Sequence, residues 1–302
     1  MRTIKEKISW IDIVKPTKED IDFLKKHFRF HPIILDELLH LSARSRVEFY
    51  KNYLFLTYHL PIYDKNLKTS RRAEIDFLIT QDSVITVRYE DLEPIENFFR
   101  AVSSNKHFKD LALGVEAGRT VYYIIQEIIH YSVRQLRHIE ENISFVTQEI
   151  FKGREDELLE RISYVKRDIL DYSIISKPQE ILLNSFLNVG VKFLGEDARI
   201  YINDLIGDYY KVTQHIDHYR EVVESLENTN GQLLNAKTNK VMQKFTILAF
   251  LTFPLVIFAS ISAIGFISSF FTAHQFFFWS IFFIAGFIIV GLAILFRKRG
   301  WL

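Results

Sequence analysis

A chain of 302 residues that is 48% hydrophobic and carries a formal charge of +1 is long enough for one large domain or two smaller ones. The mixed charge gives no reason to expect nucleic acid as a partner, and the lack of cysteine excludes a disulfide scaffold and any thiolate metal site. These averages hide the layout, because no Asp, Glu, Lys or Arg occurs from Phe245 to Phe296, while the residues before Phe245 carry nearly all the charge.

The first ten residues have a charged start with no apolar core behind it, so they do not read as a cleaved signal peptide. Residues 1–118 mix strand-like and helical runs and are read as a cytoplasmic α/β domain. The runs 8–14, 53–63, 74–79 and 84–89 are read as strands. Gln81, Asp82 and Ser83 form a hairpin turn between the last two, and Asp64, Lys65 and Asn66 mark another loop.

Residues 119–195 are read as a helical hairpin. Ile124, Ile128, Tyr131, Leu136, Ile139, Ile143, Val146 and Ile150 recur mostly at helical steps, and Lys152 and Gly153 make a stop. A second helix is expected from near Glu155 to Ser176, because Pro178 lacks the N–H that would continue it. The acidic start of that helix, Glu155, Asp156, Glu157 and Glu160, complements the helix dipole on a solvated face better than it suggests a cation site.

Residues 196–244 place Ile202, Leu205, Tyr209, Val212, Ile216, Tyr219, Val223, Leu226, Asn230 and Leu233 at steps of three and four. That 3.5-residue period predicts a long stalk helix packed along a shared seam, although residues 228–231 read locally as a turn. Two membrane crossings are expected at 245–267 and 276–296, each near the roughly 20 residues that span a bilayer. The turn at 268–275, with Ser268, Ser269, Thr272, His274 and Gln275, contains no basic residue. Lys237, Lys240 and Lys244 precede the first span, and Arg297, Lys298 and Arg299 lie in the basic tail 297–302 after the second. The positive-inside rule therefore puts both termini in the cytoplasm. The fold class is an α+β membrane protein with an α/β domain, a long helical stalk and two C-terminal transmembrane helices. No HExxH, GxSxG, GxGxxG or phosphate-loop pattern is present, so an enzyme is not expected.

His31, Pro32, Ile33, Ile34, Leu35, Asp36 and Glu37 resemble the HPLxxED segment of the CorA family of divalent metal ion transporters. Val47 to Tyr50, Tyr53 to Phe55, the stalk entry NKVMQK at 239–244, Phe253-Pro254-Leu255 and the terminal Gly300, Trp301 and Leu302 extend the resemblance over almost the whole chain. It implies a homopentamer in the cell (inner, cytoplasmic) membrane, with the first spans lining a central pore for Mg²⁺ or a related ion. It also implies a regulatory Mg²⁺ site between subunits, at Asp36 and Glu37 of one and Asp204 of the next. Partners are then further copies of the chain, the lipid bilayer and divalent cations. The pore path would carry Met242, Phe245, Ala249, Phe253, Val256, Ser260 and Ala263, with apolar rings at Met242 and Phe245 able to gate by dewetting.

The sequence departs from the family where its Gly-Met-Asn signature stands, since Ala263, Ile264 and Gly265 occupy that place. Asn228 stands where relatives often carry Asp facing the funnel of stalk helices that the resemblance implies. These departures keep two alternatives open: a non-transporting membrane-anchored sensor or structural pentamer, and a transporter with altered ion choice, such as Zn²⁺, or with proton coupling. His274 reads as a solvated histidine rather than a zinc ligand.

Overall fold

The computed structural model describes residues 1–264, 267 and 275–300. The chain divides into two compact units, Met1–Glu227 and Asn228–Leu302. The first unit is built on one sheet whose strands are β1 (Arg2–Lys5), β2 (Ser9–Val14), β3 (Arg46–Tyr50), β4 (Tyr53–Asp64), β5 (Thr69–Ile79) and β6 (Ser83–Arg88). Their order is β1-β2-β6-β5-β4-β3. Neighbours are antiparallel except for β2 and β6, which run parallel and place Trp10 beside Val84.

Two local devices set this register. Asp64 Oδ1 accepts hydrogen bonds from the amides of Asn66 and Leu67 at 2.8 and 3.1 Å, closing an Asx turn between the long strands β4 and β5. The Thr80 hydroxyl accepts from the Ser83 amide at 2.9 Å and closes the turn into β6.

One face of the sheet presents Ile11, Ile13, Phe55, Leu78, Ile85 and Val87 to α1 (Lys18–His27) and α2 (Pro32–Glu37), which contribute Ile21, Leu24, Ile34 and Leu35. Trp10 points to the other face and meets Phe98 of α3 (Glu93–Ser104) edge-on at 4.8 Å. Polar groups are buried on that face too. Arg88 and Asp12 are each 1% exposed and bond at 3.1 Å, with Arg2 and Glu96 completing the network. Removing one member of such a set costs more than the set itself contributes, because it strands a buried charge.

The remaining helices are α4 (Lys106–Leu113), α5 (Ala117–Gln135), α6 (Arg137–Glu149), α7 (Glu155–Leu194), α8 (Ala198–Ser262) and, in the second unit, α9 (Gln275–Lys298). Two expectations from the sequence need correction. The helical run toward Ile150 is divided at Leu136, which is buried at the junction of α5 and α6. The helix from Glu155 does not close at Pro178 but continues to Leu194. Pro178 removes one hydrogen bond to the carbonyl of Ile174, and Ile174 is 71% exposed, so water reaches that side of the helix. The opposite side is anchored across the proline. Tyr209 donates to the Ser176 carbonyl at 2.9 Å, and the buried Gln179 donates to Ser45 at 2.6 Å while accepting from the His59 amide at 3.1 Å.

Gly190 lets α7 and α8 approach closely, since a Cβ there would lie 3.0 Å from Ile202 Cδ1. Gly195, at φ +100, then supplies the left-handed step that ends α7. Helix α8 runs through 228–231 without the turn that the local sequence suggests.

In the second unit, Phe258 packs against Phe278 and Phe282 at 5.2 and 5.8 Å, and Phe250 against Phe296 at 6.5 Å. Both helices there carry a stretch long and apolar enough to cross a membrane, and only 6% of either stretch is buried. Phe276 and Phe287 are each 81% exposed. Apolar surface this continuous suits hydrocarbon rather than water.

Candidate cation sites

Helix α2 begins with His31, whose Nδ1 accepts from the Ile33 amide at 3.3 Å, and with Pro32, whose fixed φ suits a first helical position. The helix lasts six residues, so Asp36 and Glu37 sit at its C-terminal end. Their carboxylates line a cleft of about 470 Å³ together with Ile33, His40, Leu41, Ser42, Ala43 and Arg46. Asp36 is exposed, and its carboxylate has no ion-pair or hydrogen-bond partner among the described residues. Glu37 is paired with Arg46 of β3, which also bonds Glu48 at 2.8 Å.

Asp204 lies on an exposed face of α8 and accepts a hydrogen bond from Tyr122 of α5 at 2.7 Å. Burial, together with that carboxylate, holds the Tyr122 phenol above its ordinary pKa, so it stays a donor. Lys211 binds the neighbouring Asp208 at 2.7 Å. Asp36, Glu37 and Asp204 are hard oxygen donors of the kind that Mg²⁺ takes. Among the described residues, no three His, Asp or Glu side chains within one chain converge to hold a metal ion. Glu37 would have to leave Arg46, or share it, to serve as a ligand.

Of the proposed pore positions, Met242, Phe245, Phe253 and Val256 are exposed on α8, as are Asn228, Ala249 and Ser260. The helix ends at Ser262, and the amides of Ala263 and Ile264 still bond back to Ala259 and Ile261 at 3.1 and 3.2 Å. Gly265, Ser268, Ser269, Thr272, His274, Trp301 and Leu302 lie outside the described residues. Lys237, Lys240 and Lys244 are exposed before the first apolar stretch, and Arg297, Lys298 and Arg299 are exposed after the second.

A second acidic group, not foreseen in the sequence, lies inside the sheet beside the α2 cleft. Glu74 and Asp76 of β5 are 2% and 1% exposed. Glu74 accepts from the Ser42 amide with both oxygens at 2.9 Å and meets His59 Nε2 at 3.0 Å. Asp76 accepts from Thr57 at 2.7 Å and from Tyr89 at 2.8 Å. Burial, and then the nearby Glu74 charge, push Asp76 up to about 7, against the opposing pull of the Thr57 and Tyr89 bonds and Arg46. The signal for this cluster was in the strand alternation, which puts Glu74 and Asp76 on the same face as Leu78.

A family model described as CorA-like Mg²⁺ transporter protein matches residues 5–298. The cobalt/magnesium transport protein CorA of Thermotoga maritima is 23% identical over 97% of this chain and 83% of its own length. The protein of the same description from Methanocaldococcus jannaschii is 23% identical over 98% of this chain and 92% of its own. The solved structure of the M. jannaschii CorA magnesium transporter superposes with a TM-score of 0.84 at 20% identity, over 98% of this chain and 92% of that one.

Proposed function

This chain belongs to the CorA family of Mg²⁺ transporters, and on that premise we propose that it is a passive, channel-like pathway for divalent cations in the cell (cytoplasmic) membrane. The observation that supports this most is that the family match runs unbroken from the α/β unit through both apolar helices. In this reading the chain is a homopentamer with both termini in the cytoplasm, and the apolar part of α8 lines the path. The driving force needs no nucleotide, because a 100 mV potential is worth about 2.3 kcal/mol per unit charge and about twice that for a divalent ion.

Regulation in this reading comes from Mg²⁺ held between subunits by Asp36 and Glu37 of one and Asp204 of the next. Carboxylates brought together across an interface repel until a cation neutralises them, so the bound ion holds the closed arrangement and its loss loosens it. The cleft at the end of α2 and the exposed carboxylate of Asp204 support this assignment.

One observation favours a second reading on ion choice. Ala263, Ile264 and Gly265 replace a tripeptide whose Asn amide would offer acceptors to the waters of a hydrated ion, so selection for Mg²⁺ over its competitors is weakened.

Flux into liposomes holding the purified protein, measured for Mg²⁺, Co²⁺, Ni²⁺ and Zn²⁺ with and without a pH gradient, tests these readings together. Saturable Mg²⁺ entry that follows the membrane potential supports the first. Entry of Zn²⁺ in preference, or dependence on the pH gradient, supports altered ion choice. Silence for every ion from a folded pentamer rejects transport in favour of a membrane-anchored sensor.

A further inference from the structure

The segment that joins α2 to β3, residues 39–45, is fastened to the sheet chiefly through the buried acids. The Ser42 amide donates to Glu74, and Ser45 Oγ lies 3.0 Å from His59 Nδ1, whose other ring nitrogen meets Glu74. Arg72 holds the Ala43 carbonyl at 3.0 Å. A further tie is the Tyr89 hydroxyl, which lies 3.0 Å from the His40 carbonyl and 2.8 Å from Asp76 Oδ2.

A hydroxyl has a single proton to donate, and both of these partners are acceptors when Asp76 is ionised. The charged carboxylate then takes the bond, because charge-assisted hydrogen bonds are about twice as strong as neutral ones. The His40 carbonyl is left without its donor. When Asp76 carries a proton on Oδ2, that O–H donates to the Tyr89 oxygen, and the Tyr89 proton is free to bond His40. The two arrangements differ by one proton taken from solvent and by which partner Tyr89 serves.

We propose that Asp76, Tyr89 and the His40 carbonyl form a proton-operated latch that adds the His40 tie between residues 39–45 and the sheet when Asp76 is protonated and gives it up, loosening the segment, when it is not. The groups facing Asp76 are consistent with a titration in the range a cell experiences. Glu74 on its own strand opposes its ionisation, Arg46 of β3 and the hydroxyls of Thr57 and Tyr89 favour it, and the balance falls at about 7. His59 and Glu37 act at one remove, the first through Glu74 and the second through its field on Tyr89.

The latched segment lines the cleft that holds Asp36 and Glu37, and the His40 amide donates to the Glu37 carbonyl at 2.9 Å. Release therefore loosens the turn that presents both carboxylates. That consequence for cation sensing rests on the regulatory reading given above, whereas the latch itself does not.

Hydrogen exchange in the full-length protein, in detergent and without divalent cations, tests the latch. Peptides covering residues 39–45 are followed at about pH 6 and pH 8, with rates corrected for intrinsic exchange. Protection in the wild type is expected to fall several-fold, by up to about tenfold, between the two, as for a group titrating midway. In Asp76→Asn, whose amide donates to Tyr89 as the protonated acid would, protection stays high at both. In Tyr89→Phe it is low at both. Equal wild-type protection at the two pH values overturns the proposal, as does an unchanged pH dependence in either folded variant. Adding Mg²⁺ then separates the two ideas: a working latch with no Mg²⁺ effect on residues 31–46 rejects the regulatory reading alone.

Discussion

Asp76 and Glu37 are both acidic, but their surroundings give them opposite tasks. Glu37 faces a cleft and is neutralised by Arg46, so a cation that binds there competes with a guanidinium. Arg46→Gln is therefore expected to lower the Mg²⁺ concentration needed to protect the α2 region from exchange by several-fold, and Asp204→Ala to raise it. The measurement is hydrogen exchange on the assembled protein as Mg²⁺ is titrated, and an unchanged midpoint in both variants removes these residues from the site. Asp76 has no such access to water. Its folded pKa of about 7 lies above the ordinary carboxylate value of 3.8, so the folded state binds the proton more tightly than the unfolded chain. The stability this gives is full below about pH 4 and is lost as pH rises toward 7. Asp76→Asn is expected to leave stability near the wild type at low pH and to raise it at about pH 8. The gain is roughly 2–4 kcal/mol, since each tenfold change in proton affinity is worth about 1.4 kcal/mol. Melting curves at the two pH values check this, and a variant less stable at pH 8 contradicts it.

At the scale of elements, the tie across Pro178 can be separated from the cost of the proline itself. Pro178→Ala restores an N–H toward Ile174 on an exposed face, and an interior proline costs a helix up to about 3 kcal/mol. Part of that is offset by the freedom that alanine gives the unfolded chain, so a gain of about 1–2 kcal/mol is expected, read as a higher melting temperature. A lower one means that the proline itself is needed to seat Gln179 against β4. This region also marks where reading the sequence reaches its end. Four of the six strands, β2, β4, β5 and β6, were legible with the loops between β4, β5 and β6, because alternation, the Asx turn at Asp64 and the Thr80–Ser83 closure are local, whereas the short β1 and β3 were not read. Pro178 and Leu136 were misread because burial of Gln179, Tyr209 and Leu136 overrides the local signals there. Of the proposed site, the carboxylates could be named from the sequence but not the partners they meet in the fold. Arg46 meets Glu37, and Tyr122 meets Asp204 from 82 residues away, only once the chain has folded.

For the whole molecule, in the proposed pathway, the departure at Ala263, Ile264 and Gly265 would bear on what passes rather than on whether the chain folds. Changing all three together, by Ala263→Gly, Ile264→Met and Gly265→Asn, is expected to raise Mg²⁺ preference over Co²⁺ and Zn²⁺ by about tenfold in liposome flux. About 1.4 kcal/mol is enough for that change, which is within reach of five added carbonyl acceptors in the proposed pentamer. An unchanged preference in a folded pentamer moves selection elsewhere along the path.

The parallel pair β2 and β6 has a consequence in time. All six strands lie before Tyr89, whereas the first apolar stretch begins near Phe245. At roughly 5–20 residues per second, synthesis of the intervening chain takes about 8–30 s. Helices that cover the sheet emerge in that interval, so the domain has time to close before the apolar stretch that begins near Phe245 leaves the ribosome. In the proposed orientation, a closed sheet with Arg88 and Asp12 buried in it would resist threading through a bilayer, and folding ahead of insertion would keep the N-terminal unit on the side where it is made. On that reading, charge would be a second, redundant determinant of orientation. Replacing Lys237, Lys240 and Lys244 by Gln is expected to leave the N-terminal unit digestible only in inside-out vesicles. Digestion from the outside of intact cells lacking their wall is the result that makes those lysines, rather than the timing of folding, decisive.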